Sequence, residues 1–197
     1  MNVKEQKDMP LCAIMKGVLF AAVISIGLLP VVAGQPVQAV PFSTQSTEYQ
    51  PSAEEEKLLN FVKVVVASNE DFWRRLFAEQ GKPYRDPQLV SYSGQVTSAC
   101  GTASAAVGPF YCPGDQKIYL DLGYLGQMER QLRSDMSFEK TGDFSLAYII
   151  AHLFGYHIQT LLGNSDWLNR QRQQLDAHSF NRLQVRFKLQ ADCLAGI

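Results

Sequence analysis

Two of the three histidines in this 197-residue chain, His152 and His157, stand in one apolar stretch from Leu146 to Gly163 that reads LAYIIAHLFGYHIQTLLG. Imidazoles on one helix can share a metal ion when they project in nearly the same direction. Four residues apart they diverge by about 40° around the axis, and five apart by about 140°. His152 and His157 are five apart, so their rings point to different sides. His152 is also surrounded in sequence by Ile149, Ile150, Leu153 and Phe154, and a polar ring among such neighbours needs a partner, because burying it without one is costly. Cys100 and Cys112 are close in sequence, flank a Gly-rich region, and pair as a disulfide if the compartment is oxidising. The alternative is two buried thiols.

These side chains must be carried by a folded unit, and the pattern supplies one. Ser52 followed by Glu55 has the form of a capping box, and Leu58, Leu59, Phe61, Val62, Val65 and Val66 mark a first helix from Ala53 to Ala67. Asn69 is placed to cap a second helix, which Gly81 and Pro83 end. After Pro87 the composition changes. QLVSYSG and QKIYLDL read as strands, and Phe110 to Cys112 as a short strand that turns at Pro113-Gly114-Asp115 into the second of them. A helix from Leu122 to Met136 and a turn at Thr141 to Asp143 lead into the histidine stretch, read as a buried helix with Asp143 as a possible N-cap. Gly163, Asn164 and Ser165 end it. A polar segment follows, read as a surface helix or an extended connector, and an apolar pattern from Ser179 to the terminus marks a last helix. The fold class is therefore α+β, mostly helical with a small sheet.

The amino-terminal residues differ in kind. A polar, mildly basic start precedes the uncharged run Gly17 to Gly34, and QPVQA ends in a small-residue pattern before Val40. This is the tripartite form of a secretory signal, and the run is also long enough for an anchor. Residues 1–39 are read as signal peptide or membrane anchor, 40–51 as a linker, and 52–197 as the domain. Basic residues ahead of the run place the domain outside the cytoplasm. With 18 basic against 19 acidic residues the net charge is −1, and no basic cluster follows one face. Nucleic acid is not an expected partner.

Three strings, SGQVTSACGTASAAVGPFYCPGDQKIYLDL, AYIIAHLFGYHIQTLLG and RFKLQADCLAG, closely resemble the bacterial putative neutral zinc metallopeptidase family, over roughly Ser52 to the terminus. The resemblance implies a zincin-like domain with an amino-terminal membrane segment. It also implies a helix bearing an HEVGHH form of H-E-x-x-H, in which two histidines hold zinc and the glutamate between them is the general base. Here His152 is the sole ligand kept. Leu153 stands at the base's position and Tyr156 at the second histidine's. A later glutamate would be the third zinc ligand, and Lys188 occupies its place. Asp192 matches the acidic residue that orients a ligand histidine, and His157 matches the last histidine of HEVGHH.

Three positions with separate roles are thus altered, and no catalytic set is intact. The expectation is a pseudoenzyme that keeps the fold and binds peptide or protein without cleaving it, with no cofactor, or zinc if any metal is retained. The stretch from Gly108 to Leu122 offers an edge strand for an extended peptide. The alternatives are residual zinc peptidase activity at a rearranged site of His152, Tyr156 and Asp192, and a product without selected activity, carboxyl-terminally truncated after QADCLAG.

Overall fold

The computed structural model describes residues 52–135 and 141–196. The segments read as signal or anchor and as linker lie outside the described residues. Among the latter, no helix is long and apolar enough to cross a membrane. The order is α1 (Ala53–Glu79), β1 (Gln88–Tyr92), β2 (Gln95–Ser98), β3 (Gly101–Ser104), β4 (Phe110–Cys112), β5 (Lys117–Asp121), α2 (Leu122–Asp135), α3 (Thr141–Leu161), α4 (Asn164–Arg172) and α5 (Ala177–Ala195). The described residues are mostly helical with a small amount of sheet, an α+β arrangement.

Helix α1 starts where local chemistry places it. Ser52 Oγ accepts from Glu55 N–H, and Ser52 N–H donates to the Glu55 carboxylate at 2.8 Å, so each residue satisfies a free donor of the first turn. The two expected helices, however, are one of 27 residues. Asn69 does not cap a new start. Its Nδ2 donates back to Val65 O at 2.9 Å, one turn earlier in the same helix. The uninterrupted helix carries Leu58, Val62, Trp73 and Phe77 into the core.

Strands β1, β5 and β4 form a three-stranded sheet in that order, β5 running parallel to β1 and antiparallel to β4. Asp115 organises the tight β4–β5 turn. It accepts from Lys117 N–H at 3.2 Å, Tyr119 Oη at 2.7 Å and Ala99 N–H at 3.1 Å. Cys100 and Cys112 are joined by a disulfide that fastens the loop after β2 to β4. Strands β2 and β3 form a separate hairpin in the stretch of small residues. Buried Asp121 closes the sheet, accepting from Gly94 N–H at 3.1 Å and from Tyr124 N–H at 2.9 Å at the start of α2.

Helix α3 is the centre of the fold and packs against α1, α2, α4 and α5. Residues Thr141 to Asp143, expected as a turn, are its first turn. At its other end Gly163 adopts φ 76°, a left-handed conformation that glycine takes without penalty, and Asn164 and Ser165 begin α4 rather than ending α3. Asp176 caps α5 by accepting from Ser179 N–H at 3.0 Å. Helices α3 and α5 approach closely at Gly155, where an added Cβ would stand 2.7 Å from the carbonyl oxygen of Ala191. That approach decides what faces His152.

Candidate functional site

A cleft of about 540 Å³ opens between α3, α5 and the edge strand β4. Helix α3 contributes Tyr148, Ile149, His152, Leu153 and Tyr156; α5 contributes Phe187 and Asp192; Pro109 to Tyr111 and Pro113 form the opposite wall. The lining is chiefly apolar and aromatic. Tyr148, His152 and Tyr156 recur every four residues, so their rings follow one side of α3. The His152 and Tyr156 rings meet edge to face with centroids 4.7 Å apart, and Tyr156 stacks on Phe187 at 6.0 Å.

Asp192 is brought to His152 across the α3–α5 crossing. Its Oδ1 stands 2.8 Å from His152 Nδ1 and accepts a hydrogen bond from Tyr148 Oη at 2.9 Å. His152 Nδ1 is shielded from solvent, and Asp192 Oδ1 is the group it faces. Tyr148 was not singled out in the sequence, although its position four residues ahead of His152 is the signal that marks it.

His157 lies apart from this group, fully buried on another side of α3. Its Nε2 is 2.7 Å from Arg85 O, and its Nδ1 is 3.1 Å from Tyr111 Oη. A carbonyl can only accept, so Nε2 carries the proton and Nδ1 accepts from the Tyr111 hydroxyl. Both nitrogens are occupied, and the ring packs edge to face on Tyr84 and Tyr111. His157 joins α3 to the sheet and to the β1 approach.

That burial makes a prediction. Desolvation is the main cause holding the His157 pKa below its usual 6.5. Between the folded value and 6.5 the unfolded chain binds more protons. His157 therefore leaves stability unaffected above pH 6.5 and lowers it as the pH falls below 6.5, by up to about 1.4 kcal/mol per pH unit. Urea unfolding followed from pH 7.5 to 5 should show this slope, and His157→Phe should remove it from the difference between the two proteins. Parallel pH profiles would count against the assignment.

Leu153, Tyr156 and Lys188, the residues expected at the zinc positions, do not bring zinc donors together among the described residues. Leu153 is 4% exposed and packs with Ile150, Phe154 and Leu58 in the core while forming the cleft floor. Tyr156 is a phenol whose pKa is raised by burial and then by the Asp192 charge, so it stands as a neutral hydroxyl. Lys188 is exposed on α5 and lies outside the cleft lining. Among the described residues no three histidines, cysteines or carboxylates converge as they would on a metal ion. Zinc prefers four nitrogen, sulfur or carboxylate ligands, at least three from protein, and the residues present do not fit it.

A family described as putative neutral zinc metallopeptidase matches residues 7–197. The chain is 38% identical over 180 residues to the uncharacterized protein YpfJ of Escherichia coli K12, covering 91% of this chain and 59% of that protein. It is 40% identical over 114 residues to the uncharacterized protein Rv2575 of Mycobacterium tuberculosis, covering 58% of this chain and 36% of that one. The chain thus spans about three fifths of the length of the Escherichia coli relative. No solved structure matches it.

Proposed function

The chain belongs to the putative neutral zinc metallopeptidase family, and from that premise we propose that it is a member whose zinc-dependent hydrolysis has been lost and whose cleft binds peptide. The observation that carries this reading is Leu153. The residue at the general base's position is an aliphatic side chain committed to the core, and it can neither take a proton from water nor return one to a leaving amine. The phenol at Tyr156 and the ammonium at Lys188 support the same reading from two further positions.

Binding without cleavage uses what the cleft keeps. Strand β4 is the outer strand of its sheet and borders the cleft. Prolines at 109 and 113 bracket its three residues, and proline offers no N–H, so main-chain pairing there is short. Recognition falls mainly to an apolar or aromatic peptide side chain entering between Phe110, Tyr156 and Phe187. The domain is proposed to act outside the cytoplasm, exported or anchored by residues 1–39, a placement that a Cys100–Cys112 disulfide favours.

Elemental analysis of the full-length purified protein, with an assay on unfolded peptides, tests the reading. The expected result is zinc well below stoichiometric and no cleavage. Stoichiometric zinc together with cleavage would overturn it.

A further inference from the structure

The groups at the α3–α5 crossing are arranged to orient one imidazole. His152 Nδ1 stands 2.8 Å from Asp192 Oδ1, and the same oxygen accepts from Tyr148 Oη at 2.9 Å. An ionised carboxylate only accepts, so the imidazole proton resides on Nδ1 and Nε2 keeps its lone pair. Nδ1 is shielded from solvent, whereas the His152 side chain as a whole is 23% exposed and lines the cleft. The ring thus turns its far edge, which carries Nε2, to the open space. Tyr148 holds the carboxylate, and the carboxylate holds the ring. The Tyr156 ring meets that of His152 at 4.7 Å, and its hydroxyl, kept neutral by burial, is a donor on the same wall. Phe110, Ile149, Leu153 and Phe187 make the surroundings apolar, which strengthens each electrostatic contact inside.

We propose that His152, oriented by Asp192 and Tyr148, is a general base that activates water against an apolar or aromatic carboxylic ester held in the cleft. Nε2 takes a proton from water as the water oxygen bonds to the carbonyl carbon. The carbonyl π pair moves to its oxygen, to which the Tyr156 hydroxyl donates a hydrogen bond. The carbonyl then re-forms as the bond to the leaving oxygen breaks, and the imidazolium returns its proton to that oxygen. Asp192 stays ionised, no oxidation state changes, and the products are a carboxylic acid and an alcohol. The step draws on these side chains and water, and it differs from peptidase chemistry, in which the residue at position 153 would be the base. A positioned base contributes about 10²–10⁴-fold and one oxyanion donor about 10²–10³-fold. Such gains suit an ester whose leaving group departs readily; a peptide amine departs far less readily, so the same cleft binds peptide without cutting it. The close approach at Gly155 fixes the two helices that carry His152 and Asp192.

The full-length protein assayed with 4-nitrophenyl butyrate in the presence of a metal chelator tests this. The expected result is saturable release of nitrophenolate, at least about 100-fold faster than in His152→Gln, with a clear solvent deuterium isotope effect on kcat. Asp192→Asn, a near-isosteric change at a 39% exposed position, sets an amide donor against Nδ1 and moves the imidazole proton to Nε2. Its kcat should fall by at least about 100-fold with KM little changed, a split that a merely structural role would not give. Tyr148→Phe and Tyr156→Phe should each lower kcat by less. His178→Ala, at an exposed position on α5 outside the cleft lining, should leave the rate unchanged, which sets aside hydrolysis by any surface imidazole. A rate no higher than that of His152→Gln, an unchanged kcat in Asp192→Asn, no isotope effect, or loss of activity in the chelator would overturn the proposal. Ester hydrolysis of the expected kind in a protein that binds no peptide would remove the peptide-binding reading and leave the general base standing.

Discussion

The triple variant Leu153→Glu/Tyr156→His/Lys188→Glu is expected to bind zinc at least about 100-fold more tightly than the unaltered chain, because ligand losses should exceed the 10–100-fold that outer groups contribute. The argument is geometric. Position 156 is four residues from His152, so an imidazole there returns to the same side of α3, about 40° away. Position 188 lies one turn before Asp192 on α5, the helix that already meets His152. The retained carboxylate of Asp192 then orients His152 from behind. No single change should achieve this, because one added donor still leaves at most two protein ligands. Leu153→Glu alone should instead destabilise the fold, since it places a carboxylate where a 4% exposed leucine packs. Isothermal titration with zinc checks the triple variant. Equal affinity in the unaltered protein would refute the account of the site.

Gly155→Ala is expected to lower stability by about 1–3 kcal/mol through overpacking. Helix propensity acts in the opposite direction, favouring alanine over glycine by up to about 1 kcal/mol, so the neighbours decide the sign. A Cβ at this position would lie 2.7 Å from Ala191 O, 3.0 Å from its Cα and 3.2 Å from its carbonyl carbon. These are backbone atoms of α5 and cannot turn aside as a flexible side chain would. The helices must separate, and because Ala191 immediately precedes Asp192, the carboxylate moves away from His152. The urea midpoint should fall, and the His152 ring resonances should shift with it. An unchanged midpoint would show that α3 and α5 are not held at this crossing.

Much of the local structure was legible. Ser52 and Glu55 announced the start of α1 because both partners of the box lie three residues apart. The strands β4 and β5 and their turn were legible for the same reason, since Pro113, Gly114 and Asp115 sit between two β-rich runs. Asn69 misled, because asparagine can cap a helix or bond back within one, and the choice rests on the packing of Trp73 and Phe77 rather than on Asn69 itself. The β2–β3 hairpin was hidden by small and polar residues that carry little strand signal. Parallel pairing of β1 with β5 is a contact between distant segments, which alternation within either strand does not encode.

The same division holds at the cleft. The sequence by itself determined what chemistry the histidine helix carries: an imidazole at 152, an aliphatic residue at 153, a phenol at 156, and a second imidazole turned too far around the axis to join the first. These follow from residue identity and a rise and rotation fixed by backbone geometry. Only the tertiary structure decided what meets them. Tyr111 and Arg85 occupy His157, and Asp192, which also accepts from Tyr148, meets His152 Nδ1. Those partners are set by how closely α5 and the sheet approach α3. That approach depends on the absence of a side chain at Gly155 against the backbone of Ala191, a long-range steric fact that no local spacing contains.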